Sequence, residues 1–188
     1  MPATLESFAS ECRQILKADP GPAGREQVRE LVQQILKDET FVTTYINDNT
    51  PDRQVIYEDP ELGFCICAHL NRGSKEANPH DHGSSWAIYG QAFGETEMSE
   101  WEIVEPASEA KPGRVRRKKV YSLKPGMAHL YNENEVHSPK RVAATGLIRI
   151  EGTDTQKLKR LPYKAIGSVQ DYIPLADNLT RIFIFPQA

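Results

Sequence analysis

Cysteine is scarce in this sequence: there are three in 188 residues, Cys12, Cys65 and Cys67. An odd, sparse count argues against a disulfide framework. A Cys-x-Cys metal site would need partner cysteines, and only Cys12 is left over. Cys65 and Cys67 therefore read as small buried hydrophobes on one face of an apolar strand. No apolar run approaches the roughly 20 residues that span a bilayer, so no membrane association is expected. Met1 to Ser10 lack the basic start and apolar core of a signal peptide, and a cytoplasmic location is the expectation. Neither sign of charge dominates. The net charge of −3 gives no global attraction to nucleic acid or to an anionic surface. Internal repeats and low-complexity tracts are absent, and the length suits one domain with a sizeable core better than two.

What is present divides at about residue 40. Leu5, Phe8, Cys12, Ile15 and Leu16 recur at helical spacing behind Thr4, a plausible cap, until Asp19-Pro20-Gly21-Pro22 breaks the chain. Val28, Leu31, Val32, Ile35 and Leu36 form a second apolar stripe. Residues 1–40 are thus expected to be a helical extension packed outside a β unit spanning 41–188. Within that unit, candidate strands are Gln54–Tyr57, Phe64–Leu70, Trp86–Tyr89, Thr96–Val104, Val115–Leu123, Ala128–Tyr131, Val136–Val142, Gly146–Glu151 and Arg181–Phe185. Many short strands separated by Pro, Gly and Asn turns predict a mainly β sandwich or small barrel.

Arg114, Arg116, Arg117, Lys118 and Lys119 make a basic run, the pattern of a nucleic-acid patch. Glu95, Glu97, Glu100, Glu102 and Glu105 lie just upstream, joined to it through Pro106–Gly113. Antiparallel pairing sets these acids against the bases, and no aromatic residues alternate with the bases to stack on bases of a nucleic acid. A charge-paired hairpin is expected, and no nucleic-acid partner.

Five histidines occur: His69, His80, His82, His129 and His137. In Asn78-Pro79-His80-Asp81-His82-Gly83, an extended backbone projects His80 and His82 to one face and Asp81 to the other. Two imidazoles on one face can bind one ion. Downstream, Leu123-Lys124-Pro125-Gly126 is a turn, followed by an apolar segment and Asn134-Glu135-Val136-His137.

Together these segments resemble the first and second sequence motifs of the cupins, over about Arg53 to Glu151. The resemblance implies a double-stranded β-helix with the site inside one mouth of the barrel. The glutamate usual four or five residues after the second histidine is missing; Trp86 and Ala87 stand there. What remains is a three-histidine set, His80, His82 and His137, similar to that of the thiol dioxygenases, the cysteine dioxygenase and 3-mercaptopropionate dioxygenase group. That likeness implies Fe(II), with Zn, Ni or Mn as alternatives, and O₂ as a co-substrate. Neutral imidazoles leave the metal its full charge and open positions.

Arg53 lies close to where cysteine dioxygenases place a substrate-carboxylate arginine, and a guanidinium fork can hold a carboxylate by two hydrogen bonds. The family's Ser-x-His-x-Tyr segment is replaced by Leu147, Arg149 and Glu151, and its cross-linking cysteine by Ala87. Arg149 and Glu151 share a strand face, either as a charged pair lining the pocket or facing solvent. Arg53 and Arg149 are thus the candidate substrate-binding groups, and Glu151 and His129 the candidate catalytic ones. His69 reads as a core histidine. The expected reaction is oxygenation of a small anion other than cysteine. An oxygenase of a non-thiol carboxylate or aromatic, and a metal- or ligand-binding protein without turnover, stay open, as does a homodimer.

Overall fold

The computed structural model describes residues 3–168, 172–174 and 181–183. Three helices come first. In α1 (Leu5–Ala18) the Thr4 hydroxyl accepts the Ser7 N–H and the Ser7 hydroxyl accepts the Thr4 N–H, a reciprocal cap. Helix α2 (Pro22–Ile35) starts on Pro22, whose fixed φ and missing N–H suit the first turn. Helix α3 (Glu39–Tyr45), capped by Asp38, was not legible. Its Phe-Val-Thr-Thr-Tyr composition favours strand, and the cap together with burial of Phe41 decides for helix. Among the described residues no helix is long and apolar enough to cross a membrane.

Twelve strands follow: β1 (Gln54–Glu58), β2 (Cys65–Asn71), β3 (Lys75–Glu76), β4 (Ala87–Phe93), β5 (Thr96–Glu105), β6 (Gly113–Leu123), β7 (Ala128–Tyr131), β8 (His137–Arg141), β9 (Thr145–Glu151), β10 (Tyr163–Ser168), β11 (Tyr172–Pro174) and β12 (Arg181–Phe183). Two five-stranded sheets form, in the orders β1-β2-β9-β4-β7 and β10-β6-β5-β8-β3. From β3 to β10 the chain passes repeatedly between the two, which is the course of a double-stranded β-helix. Among the described residues no ladder closes the sheets into a continuous barrel, so the expected barrel is a jelly roll. Strands β11 and β12 pair separately; residues 184–185 of the expected last strand lie outside the described residues. Two-residue, polar β3 and the longer β10, held to β6 by parallel pairing, are not among the strands expected from the sequence.

The expected hairpin forms. Glu100 stands opposite Lys119, Glu102 opposite Arg116 and Glu105 opposite Arg114, and Arg114 and Lys111 both pair with Glu105.

The central strands of the first sheet, β2, β9 and β4, are buried on both faces. Ile66, Ala68, Ile88, Ile148 and Ile150 pack with Val28, Val32, Ile35 and Leu36 of the α2 stripe and with Phe8 and Phe41. The alternate residues Cys65, Cys67, Ala87, Tyr89, Leu147, Arg149 and Glu151 project toward the second sheet. That double burial explains the near-continuous apolar run Phe64–Leu70. Helix α2 comes closest over Gly90, where a Cβ would lie 2.5 Å from Val32 Cγ1 and 2.9 Å from the Ile148 carbonyl oxygen. Gly90→Ala is therefore expected to cost about 1–3 kcal/mol in urea unfolding. Val32→Ala in that background should recover part of the loss, read as coupling in a double-mutant cycle.

Candidate metal centre

His80 and His137 are placed by the backbone itself. Each donates its N–H to the other's carbonyl, at 3.0 and 2.9 Å, in an isolated antiparallel bridge. His82 follows two residues on, and the turn after it is set by Asp81. One Asp81 carboxylate oxygen accepts the Gly83 N–H at 3.0 Å and the other the Tyr163 hydroxyl at 2.7 Å. Gly83 has φ of +62°, a left-handed conformation in which a side chain would be strained. Asp81 thus points away from its neighbours and anchors the loop to β10.

The result is three imidazoles with ligand atoms all within 4.8 Å of one another. The tautomers of His80 and His137 follow from their contacts. The Nδ1 of His80 lies 2.8 Å from the Asn78 carbonyl and that of His137 lies 2.9 Å from the Glu135 carbonyl. Each Nδ1 therefore carries the hydrogen and each Nε2 a free lone pair. His82 Nδ1 is buried without a protein partner. Burial, with smaller contributions from neighbouring cations and imidazoles, lowers all three pKa values, that of His82 to about 2 and that of His137 well below the histidine range. Neutral imidazoles converging their lone pairs in a desolvated site fit a divalent metal held without a carboxylate.

Beside them lies a charged group from three elements. Glu151, fully buried, has Oε2 2.9 Å from Arg53 Nη2 and 3.0 Å from both the N–H and the hydroxyl of Thr155. Its Oε1 lies 3.0 Å from Arg149 Nη2, an ion pair without hydrogen-bond alignment. Burial pushes the Glu151 pKa up, but Arg149, the Thr155 N–H and Arg53 override it and bring it from 4.5 to about 2. Arg53 also holds Asp154 at 2.7 Å from the same Nη2, while its Nε is buried without a hydrogen-bond partner. Arg149 is less committed: Nε and Nη2 have no hydrogen-bond partner, and its guanidinium carbon lies 4.1 Å from the Tyr89 ring centroid.

The structure thus brings Arg149 and Glu151 together with Arg53 as an inward-facing network. His129 stands apart. Its ring packs on Tyr131 at 4.6 Å, and Tyr131 in turn stacks on His137 at 3.8 Å, so a tyrosine ring separates the two histidines. His129 Nε2 lies 3.6 Å from Glu100. The side borders a groove of about 810 Å³ between α2, β5 and β7. His69 faces the interior with Nε2 unpartnered and a pKa well below normal from burial and from Arg149.

Cys65 and Cys67 do not merely fill space. Their sulfurs lie 3.7 Å apart, and Cys65 Sγ is 3.9 Å from Glu151. Tyr89 was the residue most clearly missed. Reading Trp86–Tyr89 as an apolar run concealed that Tyr89 shares the inward face of Ala87.

No family model matches this sequence, and no curated protein matches it. Solved structures of similar chain course include a cupin superfamily protein from Desulfitobacterium hafniense (9% identity, 58% of this chain and 83% of that one, TM-score 0.40). Others are a protein with a double-stranded β-helix domain from Klebsiella pneumoniae (16% identity, 65% and 95%, TM-score 0.43) and the DMSP lyase DddQ from Ruegeria pomeroyi (11% identity, 58% and 50%, TM-score 0.41). The fold and site together define a double-stranded β-helix of two packed sheets carrying a three-histidine cluster.

The depressed Glu151 pKa has a definite sign. Its contribution to stability, about 3 kcal/mol, is complete above the unfolded pKa and is lost as pH falls from about 5 to 2. Chemical unfolding across that range should show this acid limb in the wild type, and Glu151→Gln should flatten it while lowering stability at neutral pH.

Proposed function

We propose that the protein is a metal-dependent dioxygenase related to the thiol dioxygenases, using Fe(II) held by His80, His82 and His137 to oxygenate a small anion. The observation that carries this reading is the convergence of three neutral imidazoles with no carboxylate in the cluster. A bound ferrous ion supplies the capacity to activate O₂ and the electrons for it.

The chain's own residues supply binding and orientation. Arg149 is the substrate-anion contact, since both its Nε and Nη2 are buried and lack hydrogen bonds, whereas Arg53 already binds Glu151 and Asp154 through Nη2 and leaves only Nε without a partner. An incoming carboxylate gives Arg149 the charge-assisted bonds it lacks. Arg53 and Thr155 hold Glu151, and Glu151 in turn fixes Arg149; Glu151, ionised and so engaged, positions rather than transfers a proton. His129 has no direct part in this reading.

The inward-facing Leu147, Arg149 and Glu151 replace the serine, histidine and tyrosine of the thiol dioxygenases. Leucine offers no hydrogen bond to orient O₂ or a thiol, so a small carboxylic acid or a thiol other than cysteine is the substrate.

Oxygen uptake by the iron-loaded protein with a panel of small thiols and carboxylic acids tests this. Turnover is expected with an anionic member and only weakly with cysteine. Arg149→Gln should raise KM about 10- to 100-fold, the worth of a charge-assisted hydrogen bond, with less effect from Arg53→Gln. His137→Ala should abolish both stoichiometric metal and uptake. Ligand binding without oxygen uptake across the panel would instead assign a binding protein.

A further inference from the structure

Arg141 stands in the interior without a carboxylate. It ends the inward face of β8, on which His137, Pro139 and Arg141 alternate with Ser138 and Lys140. Its Nε is buried without a hydrogen-bond partner, and its guanidinium makes no ion pair with any described residue. It faces the same space as Arg53 and Arg149. Burial holds the His69 imidazole neutral, and Arg149, Arg53 and Arg141 all oppose its protonation. Burial also lowers the Arg141 pKa, and Arg149 lowers it further.

Three guanidinium groups therefore meet two carboxylates between the sheets. Arg53 holds Glu151 and Asp154, and Arg149 lies against the other oxygen of Glu151. Neither acid reaches Arg141. A half-buried cation gives up hydration with no ion pair in return, and Arg149 has two unpartnered nitrogens of its own. Exposed Arg160 adds a further positive charge, opposing protonation of His80 and His82 along with Arg149. The two arginines with open positions come from opposite sheets, Arg149 from β9 and Arg141 from β8. One carboxylate fills one guanidinium fork by two parallel bonds, so two arginines on opposite sheets call for two.

We propose that the ligand of this interior is a small dicarboxylic acid, with one carboxylate on Arg149 and the second on Arg141. This rests on the reading of Arg149 as the substrate-anion contact. Arg141 is rooted four residues beyond His137 on the same strand, about 13 Å along at roughly 3.3 Å per residue. Arg149 lies instead on the ring of Tyr89, whose hydroxyl touches two of the histidines. The acid therefore lies lengthwise, one end near the imidazoles and the other toward the far end of β8. The same charges select against α-amino acids. A protonated amino group entering here meets guanidinium groups, and the carboxylates of Glu151 and Asp154 are already engaged.

The test reads binding without oxygen, on the full chain, both metal-free and loaded with Fe(II). Malonate, succinate and glutarate are titrated calorimetrically against propionate, butyrate and pentanoate, the monoacids of equal carbon number, and L-aspartate against succinate. At least one diacid is expected to bind about 10- to 100-fold more tightly than its monoacid, the worth of a charge-assisted hydrogen bond, and succinate more tightly than L-aspartate. Arg141→Gln should remove the diacid preference while keeping metal stoichiometry and monoacid affinity. Should that variant not fold, Arg141→Lys decides, since it keeps the charge but loses the fork, and the preference should fall. Equal binding in all three pairs, or a preference that survives Arg141→Gln, overturns the proposal and leaves Arg149 as the anion contact. Absence of binding by every acid overturns both. Diacid binding as expected, with no oxygen uptake on any dicarboxylic acid, thiol-bearing ones included, upholds the proposal and overturns the dioxygenase reading alone.

Discussion

Three imidazoles bring their ligand atoms within 4.8 Å of one another, with His82 and His137 buried and His80 partly so, an arrangement that disfavours protonation of any of them. Burial enforces neutrality, and each imidazole then disfavours charge on the others. Much of the molecule serves that constraint. The first sheet needs a helical cover to exclude water from behind, and the second sheet supplies His137 through the same bridge that fixes His80. Asp81 pins the intervening turn to a distant strand. Neutral nitrogens gathered in this way are available to a cation without first losing a proton.

A second charge balance sits against the first. Arg53, Arg149 and Glu151 converge between the sheets, and the carboxylate is shared by both guanidinium groups. Breaking a buried network of this kind by removing one member is expensive because the remaining charges stay buried. The network is nevertheless not closed, since part of Arg149 lacks a hydrogen-bond partner and its guanidinium lies over a tyrosine ring that touches two of the histidines. The charge network and the histidine cluster therefore meet at one residue. Arg53 holds the same carboxylate, and Asp154 besides, through Nη2.

The legible parts of the site were those that repeat over short distances. His80 and His82 share a face because side chains alternate along an extended chain, and the same rule places Arg149 and Glu151 together. The acidic and basic halves of the β5–β6 hairpin are linked by one turn, so their pairing could be read locally. The partners of Arg53 could not, because Glu151 and Asp154 lie 98 and 101 residues away. Tyr89 was hidden for a related reason: an aromatic among apolar residues reads as core, and here it is both core and polar contact. His129 follows the turn as expected, but the stacked ring of Tyr131 between it and His137 has no signature in the spacing.

By itself the sequence determined the succession of two amphipathic helices and many short strands, and the three histidines that would face one way if those strands formed a double-stranded β-helix. Periodicity and turn chemistry are local, and they survive in one dimension. Only the tertiary structure decided that Arg53 is neutralised, that Arg149 is left partly free, that Cys65 and Cys67 border a carboxylate, and that the Tyr89 hydroxyl stands between two imidazoles. Those outcomes depend on which inward-facing side chains meet when two sheets close on each other. Desolvation and pairing of charges are settled there, by distances across the interior that no spacing along the chain encodes.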